Sequence, residues 1–488
     1  MGAVEPARGA PDRDPSAGGR IIARNIASRL AAKSAGYGMG FAGSVLLVRY
    51  LGVERLGQYQ YVSTFASLVG FVASIGLPVV LTREAARDRA SAGRLLGNVL
   101  VLQYGLSFLA FVVVALSGAL LNPADVALPI AIIGIGIGLS AVGAPYTAML
   151  NAFEKMHVSS AIDIVAAVLR FALILAAIQL RLDVAGLVAI LLVSTLVVLV
   201  LTKTGSDRYC VRADRSYDPA VLKRLMAATV PFGLMILFAG VYYRIDILML
   251  AKMQGDAAVG LYSVAYKLID VLMITGASIT GVLYPRMAAH AAGSPGALQR
   301  LVERSYRYMT ALGIPAALVV TTAAPWIVEL LFGREFAAAG PVLRILVWAT
   351  ALTFMYMPLV HALNATGREW HWIGVLVVNS IVNVTLNLVL IPAYGIQGAA
   401  VSTVVCELIA LVMALVLVRP IGPVGRLVPI ASVIPAALCM TPALWYLGER
   451  HPVAAAALAG AAYLAVLHAT GFLSREEKLE LRRLFTVP

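Results

Sequence analysis

Runs of roughly 20 apolar residues recur along almost the whole chain of 488 residues, and nothing else constrains its fold as strongly. A helix rises about 1.5 Å per residue, so each run is long enough to cross about 30 Å of hydrocarbon. Hydrocarbon offers no partner to a backbone amide, and a helix satisfies its own. The runs fall near 27–50, 57–80, 95–121, 126–150, 159–180 and 184–202, then near 226–251, 258–284, 308–332, 340–364, 372–392 and 396–418, with two more near 427–447 and 452–473. The expected fold is an all-α polytopic membrane protein of about 14 transmembrane helices, arranged as two parallel six-helix repeats plus two C-terminal helices.

Composition agrees. Hydrophobic residues make up 60% of the chain and charged residues 13%, with mean hydropathy +0.88, which excludes an ordinary soluble domain. The net charge of +13 lies between the apolar runs and on no single soluble face, so it reports topology and no nucleic-acid partner is expected. Arg83 to Arg94, Lys203 to Arg224 and Arg286 to Arg307 form basic clusters on one side, whereas the opposite connections carry few cations. That bias predicts a multi-pass protein with both termini cytosolic. The expected segments are a disordered cytosolic tail (1–25), an N-terminal six-helix lobe (26–205), a cytosolic linker (206–224), a C-terminal six-helix lobe (225–420), two additional helices (421–474) and a cytosolic tail (475–488). Cys210, Cys406 and Cys439 are scattered and lack metal-ligand spacing, so no metal site or disulfide framework is expected. No P-loop pattern is present, and no cofactor is expected.

The duplication is legible in a short pattern that occurs twice. Arg49-x2-Gly52-x4-Gly57-x-Tyr59 returns 203 residues later as Lys252-x2-Gly255-x4-Gly260-x-Tyr262, each copy between two apolar runs. Glycines permit the strained backbone of a tight interhelical turn, and a tyrosine anchors at the headgroup level, so both copies are read as outer hairpins. Leu150-Asn151-Ala152 and Leu363-Asn364-Ala365 repeat the correspondence 213 residues apart. An even number of helices per repeat makes the halves parallel, with a cleft between them as the natural substrate path.

The stretch from Arg49 to Arg89, together with "RIDILMLAKMQGDAAVGLYSVAYKL" (Arg244 to Leu268), "LYPRMA" (Leu283 to Ala288), "LLFGREFAAAGPVLRIL" (Leu330 to Leu346) and "IPAYGIQGAA" (Ile391 to Ala400), resembles the bacterial polysaccharide flippases, the Wzx-type O-antigen and exopolysaccharide transporters. Their superfamily also holds the MATE drug antiporters and the lipid II flippases. The resemblance implies a transporter that turns an undecaprenyl-diphosphate-linked oligosaccharide from the inner to the outer leaflet for surface polysaccharide synthesis, beside membrane lipid and polysaccharide polymerase machinery. It implies no catalytic residue.

Ionisable residues inside the apolar runs carry the more direct functional signal, since each costs at least about 2.5 kcal/mol to insert and should face a cavity. Arg170 sits near the middle of the fifth run, either facing the cavity or paired with Asp163 or Glu407. Arg244 and Asp246 lie two apart on the seventh run, hence on different faces. Lys267 and Asp270, three apart on the eighth, share a face and can pair. Lys33 and Arg29 lie near the start of the first run, within reach of cytosolic water. Arg170, Arg244, Lys267, Lys33 and Arg29 are the candidate basic cavity, because a lipid diphosphate needs converging cations. Glu407, Asp270 and Asp246 are the candidates for ion coupling, Glu407 alternatively neutralising an arginine. Asn379, Asn383 and Asn387 recur every four residues as a polar stripe that either bonds a sugar or joins helices. His361 and His468 are read as interior or interfacial residues. A MATE-like drug antiporter is disfavoured by a basic cavity, and a polymerase or ligase by outer connections too short to carry catalytic groups.

Overall fold

The structure is a computed structural model that describes residues 15–74, 76–214, 217–421, 428–448, 450–472 and 477. The described residues contain helices and turns and no strand. In order the helices are α1 (Pro15–Val69), α2 (Leu77–Arg87), α3 (Ala92–Leu121), α4 (Ala124–Ala152), α5 (Met156–Gln179), α6 (Val184–Tyr209), α7 (Pro219–Gln254), α8 (Asp256–Gly293), α9 (Pro295–Phe332), α10 (Ala339–Ala365), α11 (Glu369–Val418), α12 (Val428–Leu438), α13 (Thr441–Leu447) and α14 (Pro452–Ala469). Ten are long and apolar enough to cross a membrane, or eleven if the pair Gly38–Ala73 and Leu77–Arg87, bent by 43°, counts as one span.

Two of the expected boundaries are narrower than the apolar runs suggested. α1 contains the first run and much of the second, divided only at Gly52, whose φ of 69° and ψ of −179° are not helical. α11 contains the eleventh and twelfth runs, divided at Gly395 with φ 56° and ψ −135°. Both dihedral pairs are accessible to glycine and costly for other residues, so a single position suffices to break the helix. The arms of α11 run antiparallel: Asn379 Nδ2 donates to the Cys406 carbonyl (3.1 Å) and Ser402 Oγ to the Asn383 carbonyl (3.4 Å). Gly255 separates α7 from α8 with φ 84° and ψ 178°, nearly the conformation of Gly52.

Side chains fix several other ends. Asp183 accepts from the Gly186 amide at the start of α6, and Asp218 accepts from the Ala220 and Val221 amides at the start of α7. The segment before α7, within the expected cytosolic linker (206–224), is strapped to α3. The Asp214 amide donates to the Gly93 carbonyl (2.9 Å) and the Asp218 amide to Asn98 Oδ1 (2.8 Å). Val221 and Leu225 then join a core made of Leu77, Leu81, Leu96 and Met149, so α7 begins within the N-terminal half.

One hydrophobic core bridges the halves at the end of the bundle where Gly52 and Gly255 turn. It unites Leu47, Val48, Leu51 and Leu56 with Ile247, Leu250, Val259 and Phe332. The additional C-terminal helices α12, α13 and α14 pack on α9 through Val433, Leu444 and Tyr463 against Tyr308, Ile314 and Leu318.

Candidate translocation cavities

Away from that bridging core, three cavities adjoin one another between and within the halves. The first, about 390 Å³, lies mostly in the C-terminal half and is lined by Arg244, Lys267, Asp270 and Glu407, with Gln60 from α1. The second, about 540 Å³, lies where α1, α4, α6 and α7 meet, and shares Gly240 and Arg244 with the first. The third, about 450 Å³, runs through the N-terminal half past Thr82, Asn151 and Arg170, and shares Ser140, Ala144 and Thr195 with the second. Three of the expected cations therefore line adjoining cavities, and Arg244 stands in the wall that two of them share.

The two-residue spacing on α7 separates Arg244 from Asp246. Arg244 is exposed to the two cavities, whereas Asp246 is 2% exposed. Its carboxylate accepts from Tyr262 Oη (2.5 Å), Tyr266 Oη (3.3 Å) and the Ile247 amide (2.9 Å). Asp246 is thereby a buried hub between α7 and α8, without a cavity wall of its own.

Lys267 and Asp270 share a face of α8, as their spacing requires, and both line the first cavity. They lie within electrostatic reach of each other and of Arg244, yet form no ion pair among the described residues. Glu407 is also unpaired with any described cation: Tyr242 Oη donates to Oε1 (2.7 Å) and Thr353 Oγ1 to Oε2 (2.8 Å). Neutral hydroxyl donors thus hold both buried carboxylates. Tyr242, Tyr266 and Thr353 escaped the sequence reading, whereas Tyr262, expected as an anchor at the headgroup level, is instead fully buried with its hydroxyl on Asp246. Their signal was the four-residue spacing of Tyr242 with Asp246 and of Tyr262 with Tyr266, which puts each pair on one helix face.

Arg170 lines the third cavity and pairs with neither Asp163 nor Glu407; Asp163 is exposed on another part of α5. The side chains of Arg29 and Lys33 lie outside the described residues. Asn379, Asn383 and Asn387 are each at most 1% exposed and line none of the three cavities. Asn379 bonds the second arm of α11, the helix-joining arrangement, whereas Asn387 Nδ2 donates to Asn383 Oδ1 (3.0 Å) within the first arm. His361 packs 5.4 Å from the Tyr284 ring. No group of three or more potential metal ligands occurs among the described residues.

Comparison with known proteins gives this architecture a place. The family described as polysaccharide biosynthesis protein matches residues 22–290, and the MatE family matches residues 231–389. A probable low-salt glycan biosynthesis flippase of Haloferax volcanii is 24% identical over 163 residues, 33% of this chain and 34% of that protein. The chain spans about a third of the length of the curated relatives it matches. Among solved structures, the lipid II flippase MurJ in an inward closed conformation aligns with TM-score 0.76 and 11% identity, covering 91% of this chain and 98% of that one. A multidrug resistance MATE transporter in an inward-facing conformation aligns with TM-score 0.67 and 14% identity, covering 80% and 95%. With more than half of its length matched by that family and its two halves folded as in these transporters, the chain is a membrane-spanning member of the polysaccharide biosynthesis protein family with a MATE-like fold.

Proposed function

We propose that the protein is a flippase that carries a lipid-linked oligosaccharide from the inner to the outer leaflet for surface polysaccharide synthesis, and that it performs no covalent chemistry. One observation carries this reading: Arg170, Arg244 and Lys267 line adjoining cavities with no ion-pair partner among the described residues. Unpaired cations at membrane depth are expensive unless they face water or an anion. A lipid diphosphate supplies the anion, gripped in bidentate fashion by arginine and attracted as a point charge by lysine. Lys33 and Arg29 would extend the same basic path toward the cytosol, and an undecaprenyl-diphosphate carrier fits it.

The proposed cycle rocks the N-terminal half against the C-terminal half around these cavities, with fourteen crossings once each arm of α1 and α11 counts separately and α12 with α13 forms one more. Both termini would be cytosolic, in a bacterial inner membrane, with polymerase machinery receiving the product. Asp246, Glu407 and Asp270 are the proposed coupling sites, because a carboxylate with no ion-pair partner among the described residues can exchange a cation or proton without breaking an ion pair. The test is transfer of a fluorescent undecaprenyl-diphosphate glycan across proteoliposomes. Transfer above that of empty liposomes is expected, and equal rates under every imposed gradient refute the proposal. A lipid II substrate is distinguished by supplying that lipid instead.

A further inference from the structure

We propose that the two copies of the repeated glycine pattern are the two jaws of one latch, which closes the cavities on the side where the α1 and α7–α8 turns lie. The copies do not merely turn the chain at equivalent places; they touch each other, residue for equivalent residue. A Cβ on Gly57 would stand 1.7 Å from the Asp256 carbonyl oxygen, and a Cβ on Gly260 would stand 2.0 Å from the Val53 carbonyl oxygen. Asp256 and Gly260 are the equivalents of Val53 and Gly57 at the same offset of 203 residues. The contact is therefore reciprocal, as across a two-fold axis. Only a residue without a side chain lets two backbones approach so closely, which explains why glycine stands at the second position of both copies.

The first glycine and the basic residue of each copy serve the same closure. Gly52 and Gly255 hold nearly identical dihedrals in a region that is essentially glycine's alone, and so aim the two arms at each other. Leu56 and Val259, again 203 apart, are fully buried in the core that bridges the halves. The basic residue at the head of each copy crosses to the opposite half and grips the end of the third helix of that half. Arg49 donates through Nε to the Leu331 carbonyl and through Nη2 to the Leu330 carbonyl, both 2.7 Å, at the C-terminal end of α9. Lys252 donates to Oδ1 of Asn122, the residue that caps α3, at 3.4 Å, and lies 5.3 Å from the Tyr61 ring centroid. A cation at a helix C-terminus is electrostatically favoured in both places.

The cavities lie on the other side of this contact, and Arg244 and Lys267 sit on the helices that run away from it. Releasing cargo toward the turn side requires the glycine contact to part. The latch gates transport only if the transport reading holds, but its closure can be followed by distance without any cargo.

The test uses the full chain with Cys210, Cys406 and Cys439 replaced, spin labels at R55C and R334C, and pulsed electron resonance in liposomes. Both positions are exposed near the turns, one in each half. The unsubstituted pattern should give a dominant short distance. Gly57→Ala and Gly260→Ala should each deplete it in favour of longer distances, because the added Cβ would stand 1.7 or 2.0 Å from the facing carbonyl oxygen and the backbones must separate until that contact reaches the ordinary 3.4 Å or more. Gly105→Ala and Gly281→Ala, where an added Cβ meets open space, should keep the short distance. An unchanged distribution in Gly57→Ala and Gly260→Ala overturns the latch. Should those variants not assemble, Arg49→Gln combined with Lys252→Gln decides: lengthening supports the latch and no lengthening overturns it. A chain that shows these shifts yet flips no lipid keeps the latch and loses the transport reading.

Discussion

Removing the Tyr262 hydroxyl should expose how Asp246 is kept inside the membrane. Tyr262 is fully buried, and its Oη donates to Asp246 Oδ2 at 2.5 Å, while Tyr266 and the Ile247 amide supply the remaining donors. A hydrogen bond to a charged group contributes about 1.5–3 kcal/mol, whereas neutral interhelical bonds in membranes average about 0.6 kcal/mol. The coupling energy between Tyr262 and Asp246 therefore depends on whether the carboxyl carries a proton. Tyr262→Phe, Asp246→Asn and the double variant form a cycle that isolates this pair from the packing of the ring, which phenylalanine preserves. Measured by reversible unfolding in mixed micelles, the coupling should reach about 1.5–3 kcal/mol at pH values where Asp246 is ionised. It should fall toward about 0.6 kcal/mol as the carboxyl protonates at lower pH. A coupling below about 0.3 kcal/mol at every pH, within the additivity of independent sites, refutes the assignment of Tyr262 as the donor that holds Asp246.

Three further outcomes follow from the cavities. Arg170→Ala, Arg244→Ala and Lys267→Ala should each reduce flipping at least tenfold, a loss of about 1.4 kcal/mol or more in binding, with membrane abundance unchanged because none has an ion-pair partner to orphan. Abundance that falls with activity would assign a structural role instead. Glu407→Gln keeps an acceptor oxygen for one of Tyr242 and Thr353 and presents to the other an amide that its hydroxyl can accept from, so insertion should be normal while flipping in liposomes ceases to respond to an imposed ion gradient; a retained response places coupling elsewhere. Asn379→Leu loses its bond to the Cys406 carbonyl and should lower stability by about 0.6 kcal/mol, at most about 1.7, with flipping unaffected at low temperature. Selective loss of flipping in that variant would restore the stripe as a sugar contact.

The helices were legible because apolar length is a direct demand of the bilayer, and the duplication because its pattern survives at a fixed offset. The opposite orientations of Arg244 and Asp246 followed from spacing alone. What stayed hidden depends on neighbours distant in sequence. Nothing local in Tyr262 or Thr353 announces a buried carboxylate 16 or 54 residues away. Arg170 had two acidic candidates by sequence and pairs with neither, because Asp163 stays exposed and Glu407 is enclosed in the other half by hydroxyls. The asparagine stripe was equally compatible with cargo or with packing, and nothing in the sequence shows that the antiparallel second arm of α11 lies against Asn379 and Asn383.

The strap before α7 is rich in charge, with Arg212, Asp214, Arg215 and Asp218, yet its geometry ties the motion of the halves to one helix. A Cβ on Gly97 would lie 1.8 Å from the Asp214 carbonyl oxygen, and the Asp214 and Asp218 amides are both bonded to α3. Val221 and Leu225 continue that attachment into the N-terminal core, while Asp246, further along the same helix, is bonded to α8. A rigid displacement of one half against the other therefore cannot leave α7 undistorted between Leu225 and Tyr242, since its two ends belong to different bodies. Gly97→Val should free the lower end by forcing the strap off α3, which ought to speed proteolysis within residues 211–218 without unfolding the helices. If cleavage there is no faster than in the unsubstituted chain, the strap is not held at Gly97, and α7 is free to move with the C-terminal half as one piece.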